Sequence, residues 1–338
     1  MATTFSSLPI VDLAPLHSQC PTSDELCALS RQLYDVFATT GFAYLINAPL
    51  SYSHDDVFGL AKEVFRMEDA EKRKLAKRTF RKENSNTYRG YFPPQAGSDN
   101  LKEGFEIGPP TSLPQQGRSL STKIDLTEPN VWPSETASFR QSSEMLYTEL
   151  QAISARLLSL VAVSLGKPPM YFSNYLHDSI STLRYLHYPA MPTDRRQLLC
   201  CTPHTDSGIL TLLHQDATGG LEVLNASGEW VPAPYVPGSI VVNIGDLMAK
   251  VSGDRFVATR HRVRSSAIGK SRYSVPFFFE PGLECVVKSV DAPEGQDGGV
   301  LYGNHVLEKM SGWVEFQDVD QQPEDDFGVY NTKPVEAY

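Results

Sequence analysis

The chain has 338 residues, enough to bury a large core, and its 41% hydrophobic and 21% charged residues are ordinary for a soluble globular protein. Its net charge of −10 argues against a nucleic-acid partner, whose phosphates it would repel. The first twenty residues show neither a basic start nor a secretory apolar run, and no stretch reads as a membrane span. Five cysteines (Cys20, Cys27, Cys200, Cys201, Cys285) without paired spacing fit free thiols, and together these features predict a cytoplasmic protein without a membrane partner.

In chain order, Leu8–Leu13 reads as a short strand. Thr22 and Glu25 form a candidate capping box, followed by Leu26, Leu29, Leu33, Val36 and Phe37 at helical spacing. Gly41–Ile46 reads as a strand, 53–66 as a helix, and the basic run from Lys72 to Lys82 as a solvated helix face near 69–78. Residues 84–110 look like loop; their Tyr88, Phe92 and Phe105 either pack or help to close a pocket. A long helix is predicted over 133–165, stopped by Gly166. Beyond 180, short β-rich runs recur at 181–188, 209–214, 220–224, 239–244, 256–263, 272–279 and 284–290, a pitch that suggests an antiparallel sandwich or barrel. Residues 300–312 read as helix and 313–338 as an acidic tail. The expected organisation is mainly β with flanking helices, one domain over 1–338: a helix-rich part at 1–179, a β core at 180–300, and a C-terminal helix and tail at 301–338.

The chemistry concentrates in the β core. His204 and Asp206 are two apart, so on a strand they would share a face. His261, 55 residues after Asp206, would complete a two-histidine, one-carboxylate set, the arrangement of non-haem iron oxygenases with open metal positions. Arg272 sits in the otherwise apolar run Arg272–Phe279, where a guanidinium is costly unless an anion meets it. Ser274 shares its face, and the pair makes a candidate carboxylate receptor. The three ligands alone would also suit satisfied core polar groups or a zinc hydrolase, though a hydrolase needs no buried carboxylate receptor.

With Gly41–Asn47, Arg89-Gly90-Tyr91, Lys102–Gly108, His204–Asp216, Gly219–Val223, Asn243–Leu247, Thr259–Val263 and Arg272–Ser274 in order, the chain resembles the 2-oxoglutarate- and iron(II)-dependent oxygenases of the isopenicillin-N-synthase-like branch, of plants and fungal secondary metabolism. The resemblance implies a double-stranded β-helix (jelly roll) and a 2-oxoglutarate-dependent dioxygenase that uses O2 and releases succinate and CO2. It places Fe(II) on His204, Asp206 and His261, and 2-oxoglutarate on Arg272, Ser274 and Tyr188. Two positions depart from the family pattern: Leu186 stands where many plant members have Asn, and Ser207 where relatives often carry an aromatic residue, which implies a pocket wider beside Asp206.

Strand parity sets Arg184 and Leu186 on the same face as Tyr188, and Pro276 and Phe278 on that of Arg272. Together with Ser207, next to Asp206, this makes Arg184, Leu186, Ser207 and Phe278 the candidate substrate contacts. Arg184 is either a donor to an oxygen-bearing substrate or a structural salt-bridge partner. His187 should face away from Tyr188. A small-molecule substrate and a monomer or weak homodimer are expected. An oxidase that does not use 2-oxoglutarate, its Arg/Ser pair holding a substrate carboxylate instead, and a non-catalytic ligand-binding relative are the alternatives.

Overall fold

The computed structural model describes residues 3–18, 21–94, 101–111, 124–134, 137–190, 199–264, 269–293 and 299–310. Its strands, in chain order, are β1 (Ile10–Asp12), β2 (Phe42–Ile46), β3 (Gly90–Phe92), β4 (Glu103–Ile107), β5 (Thr182–Tyr188), β6 (Leu199–His204), β7 (Leu210–Gln215), β8 (Leu221–Leu224), β9 (Trp230–Pro232), β10 (Ile240–Ile244), β11 (His261–Arg264), β12 (Arg272–Phe279), β13 (Val286–Val287) and β14 (Val300–Leu301). The helices are α1 (Ser23–Thr39), α2 (His54–Phe65), α3 (Asp69–Lys74), α4 (Ala137–Ser164), α5 (Asp246–Val251) and α6 (Tyr302–Met310).

Eight strands form one sheet in the order β1-β2-β10-β7-β12-β5-β4-β3, and four form a second in the order β6-β11-β8-β9. This is the two-sheet jelly roll that the family resemblance implies. Alternation along each strand of the large sheet splits its side chains between two cores. Leu183 and Tyr185 of β5, with Val275, Phe277 and Phe279 of β12, join the helix-side core beneath α1, α2 and α4. Leu186 and Tyr188 instead join Phe42, Tyr44, Phe92, Val223 and Val263 between the two sheets. The parity expected for these strands therefore agrees with the packing.

Helix α1 starts where the sequence places its cap. Thr22 accepts from the Glu25 N–H while Glu25 accepts from the Thr22 N–H, and Ser53 and Asp56 repeat the device at α2. Helix α4 is as long and apolar as a membrane span. Its stripe of Phe139, Leu146, Leu150, Ile153 and Leu157 is buried in the helix-side core.

Several expectations are corrected. The stretch over 84–110 is not all loop: it contains β3 and β4, which pair with each other and extend the large sheet beyond β5. The third helix stops at Lys74 rather than running to 78, the strand expected over 256–263 begins only at His261, and that over 284–290 shrinks to β13. Strands β6, β9 and β14 and helix α5 are additions to the expected set, β14 taking the first two residues of the helix expected over 300–312. Nor is the basic run wholly solvated: Lys72 pairs with Glu103, and the fully buried Lys77 with Glu106. The expected acidic tail lies outside the described residues.

Candidate metal and co-substrate site

His204 closes β6 and His261 opens β11, and the two are direct partners across the antiparallel ladder. Their ring centroids lie 4.3 Å apart. Asp206 follows in the loop after β6, not on the strand with His204. Its Oδ1 nevertheless stands 3.7 Å from the Nε2 of each histidine. One ligand atom from each of the three residues falls within 4.8 Å of the others. Cross-strand pairing, rather than period-two alternation, thus brings the donors together.

Each donor is aimed by a neighbour. Nδ1 of His204 donates to the Thr202 carbonyl at 2.8 Å, and Nδ1 of His261 to the Thr259 carbonyl at 3.2 Å. A carbonyl only accepts, so these contacts fix the tautomers and turn both Nε2 lone pairs toward Asp206. Asp206 in turn accepts at Oδ2 from Thr211 Oγ1 (2.6 Å) and Asn243 Nδ2 (2.8 Å), which leaves Oδ1 to face the histidines. The loop is pinned where the Asp246 N–H donates to the Asp206 carbonyl at 2.8 Å. A side chain at Gly245 would stand 2.3 Å from the Gly208 carbonyl oxygen, so this close approach requires glycine.

The electrostatics suit a cation. Burial opposes ionisation of Asp206, but His261 and His204 outweigh it and hold the carboxyl below the usual range. Burial pushes His261 down to about 4, toward the neutral imidazole that a metal ligand must be. Burial would do the same to His204, but the Cys201 thiol and the Asp206 carboxylate draw it up to about 9. A metal would displace the His204 proton, leaving two neutral nitrogens and one carboxylate oxygen, a set that fits a divalent first-row metal such as iron(II).

On the large sheet, Arg272 is 4% exposed, its Nε donating to the Gly219 carbonyl (2.8 Å) and its Nη1 to Ser274 Oγ (3.1 Å). The guanidinium lies 4.7 Å from the centroid of the Tyr188 ring. Tyr188 faces Arg272 in the β5–β12 register, as Leu186 faces Ser274. The bonds to Gly219 and Ser274 fix the guanidinium plane, so that its remaining N–H groups can meet a carboxylate within this cradle.

The other end of the space between the sheets is built differently. Arg184 pairs with the fully buried Glu106, which also takes Lys77. Burial disfavours the Glu106 carboxylate, yet Arg184 and Lys77 keep it ionised. The Arg184 guanidinium stands 5.1 Å from the Phe278 ring and 5.7 Å from that of Phe92. Ser207 turns to Glu280, its hydroxyl donating to Oε1 at 3.4 Å. His187 faces away from this side, as expected, to bond Glu103 at 2.7 Å and stack on Tyr273.

The candidate residues therefore gather along the space between the sheets and at its rim. Sequence reasoning missed Thr211, Asn243, Glu106 and Glu280, and it named Phe92 only as a residue that packs or helps to close a pocket. Asn243 and Thr211 carry a usable signal, since each is a polar residue on the inward parity of an apolar strand. Glu106 and Phe92 lie in the stretch that reads as loop.

Known proteins share both fold and sequence. The profile of the 2OG-Fe(II) oxygenase superfamily matches residues 177–281, and that of a non-haem dioxygenase N-terminal region in morphine synthesis matches residues 8–135. A 2-oxoglutarate-dependent dioxygenase of Didymella fabae is 33% identical over 318 residues, 88% of this chain and 94% of that protein. The 2-oxoglutarate-dependent dioxygenase citB of Monascus ruber is 30% identical over 300 residues, 84% of this chain and 88% of its own. Among solved structures, a full-length Neurospora crassa protein in complex with alpha-KG and 5-formyluracil superposes with a TM-score of 0.75 at 25% identity, covering 90% of this chain and 96% of that one. With such relatives spanning nearly its whole length, and His204, Asp206 and His261 gathered as a possible metal-holding group, the chain belongs to the 2-oxoglutarate- and iron(II)-dependent oxygenase superfamily.

Proposed function

We propose that His204, Asp206 and His261 hold the iron(II) of this 2-oxoglutarate-dependent dioxygenase, that Arg272, Ser274 and Tyr188 hold its co-substrate, and that Arg184, Leu186, Ser207 and Phe278 receive the small molecule to be oxidised. One observation supports this most directly: both imidazoles are locked by backbone carbonyls with Nε2 aimed at Asp206 Oδ1, at 3.7 Å each. When bound, iron(II) and 2-oxoglutarate supply, with O2, the oxidant for a C–H bond, releasing succinate and CO2. The protein's residues position the reactants and exclude water. Arg272 and Ser274 hold the distal carboxylate, and Tyr188 adds a hydroxyl.

The substrate end fits a small, flat, oxygen-bearing molecule. Glu106 sets the direction of Arg184, and the rings of Phe92 and Phe278 flank the guanidinium. A guanidinium fixed in this way can donate to a carbonyl or phenolate, while the rings restrict the substrate's thickness. Ser207 leaves the space beside Asp206 to the substrate. The relatives named for Didymella fabae and Monascus ruber support a place in fungal secondary metabolism, with hydroxylation the expected outcome. Free thiols at Cys27, Cys200, Cys201 and Cys285 support a cytoplasmic location. A net charge of −10 favours a monomer or weak homodimer through self-repulsion.

Arg184→Ala tests the pocket. It should lose product formation while iron and 2-oxoglutarate still bind, so that succinate appears without oxidised product. Wild-type coupling in the variant would make Arg184 purely structural. Screening oxygenated heterocycles and polyketides for coupled succinate release then identifies the substrate.

A further inference from the structure

The inward positions of β4 and the residue before it are Lys102, Gly104 and Glu106. Glu106 serves the substrate end through Arg184, and at Gly104 a side chain would collide with the Phe92 ring, 2.2 Å from Cζ. Lys102 serves neither. It is 6% exposed, so most of its side chain is enclosed by protein. The β4–β5 register sets Glu103 against His187, so the next step back sets Lys102 against Tyr188, and Tyr188 is itself the partner of Arg272. Three polar side chains thus form one row across three neighbouring segments of the large sheet. The row points at the small sheet: Lys102 Nζ is 3.8 Å from Cys201 Sγ, which is 3.8 Å from Nδ1 of His204.

We propose that Lys102 is a second cationic contact for 2-oxoglutarate, acting in the same row as Arg272. Position argues against a substrate role, because four residues of strand, about 13 Å, separate it from the Glu106–Arg184 pair. Charge and place argue for the co-substrate, a dianion whose distal carboxylate meets Arg272 and whose keto-acid end reaches toward the metal donors, the side to which Lys102 Nζ points through Cys201. An ammonium beside this low-dielectric interior acts strongly on such a dianion without needing the planar fork of arginine.

The inference rests on the Arg272 assignment above, so the two are tested side by side. 2-Oxoglutarate is titrated calorimetrically, without oxygen, into iron(II)-loaded wild type, Lys102→Met, Lys102→Gln, Lys102→Arg and Arg272→Ala. Lys102→Met and Lys102→Gln should weaken 2-oxoglutarate binding about ten- to a hundredfold, with iron affinity unchanged, and Lys102→Arg should recover most of the loss. Gln retains polarity and tests the same point if Met disturbs folding. An unchanged affinity in both neutral variants, beside a weakened Arg272→Ala, overturns the Lys102 proposal alone. Unchanged affinity in Arg272→Ala as well would overturn the co-substrate reading itself. A parallel loss of iron affinity in the Lys102 variants would assign the ammonium to the surroundings of His204 instead.

Discussion

The proposed metal end and the proposed substrate end of the site are held by different means. At the metal end the main chain does the aiming: Thr202 and Thr259 carbonyls orient the imidazoles, the Gly219 carbonyl orients Arg272, and the Asp246 N–H pins the Asp206 loop. At the substrate end side chains aim one another: Lys77 and Arg184 share Glu106, and Ser207 leans on Glu280. Backbone partners persist through substitution, because every residue brings the same amide. Side-chain partners change with one codon. The first arrangement secures a chemistry, and the second allows the substrate pocket to vary while the sheet stays intact.

The sharpest way to break this contrast is at Asp206, the one metal-end donor whose aim depends on side chains. Asp206→Ala removes the sole carboxylate of the set and should abolish turnover and iron retention after anaerobic desalting. A variant that keeps both would dissolve the metal assignment. Arg272→Ala comes next. A broken buried charge pair costs about 3–5 kcal/mol, so 2-oxoglutarate affinity should fall by about two to four orders of magnitude. Were 2-oxoglutarate binding intact and substrate binding lost, the receptor would instead serve a substrate carboxylate.

The metal end is more legible in the sequence than the substrate end, and the same physics explains why. Residues anchored to backbone stay visible as a short pattern, His204-Thr205-Asp206 with His261, or as a charge stranded in an apolar run, Arg272. Strand β4 is hard to read because Lys102-Glu103-Gly104-Phe105-Glu106 has charge on both faces, where half-buried strands show alternation. Without β4 the burial of Lys72 and Lys77 stays hidden, since their partners Glu103 and Glu106 belong to it. Strand β6 is obscured by Pro203, tolerated because β6 lies at a sheet edge where a ladder N–H is dispensable. Capping residues and inward parity depend only on local sequence, and both agree with the structure.

Glu280 probes the substrate end through pH. Burial pushes its carboxyl up to about 7, against the pull of the Tyr302 hydroxyl and Arg89. Between its ordinary value and about 7 the unfolded chain has released this proton while the folded protein keeps it. Protonation therefore favours the fold at low pH, and that contribution is lost as pH rises to 7, by on the order of 3 kcal/mol. Glu280→Gln, always neutral, should flatten this part of the stability curve and gain relative to wild type at pH 8. Parallel urea midpoints for the two proteins across pH 4.5–8 would refute the shift.

The smallest effect expected, and the one that sharpens the comparison most, is at Asn243. Its amide donates to Asp206 Oδ2 at 2.8 Å without touching Oδ1, the oxygen that looks toward the histidines. Asn243→Ala removes one of the two side-chain donors and leaves Thr211 at 2.6 Å. Loss of such an outer hydrogen bond typically lowers metal affinity about ten- to a hundredfold. Iron affinity should fall within that range, with turnover at saturating iron reduced far less, because Thr211 still restrains the carboxylate. Adding Thr211→Val should cost more than the sum of the two single changes, since Asp206 then has neither side-chain anchor and can rotate. Additive losses in the double variant would mean that the backbone bond from Asp246 already suffices to aim Asp206, and that the metal end depends on main chain throughout.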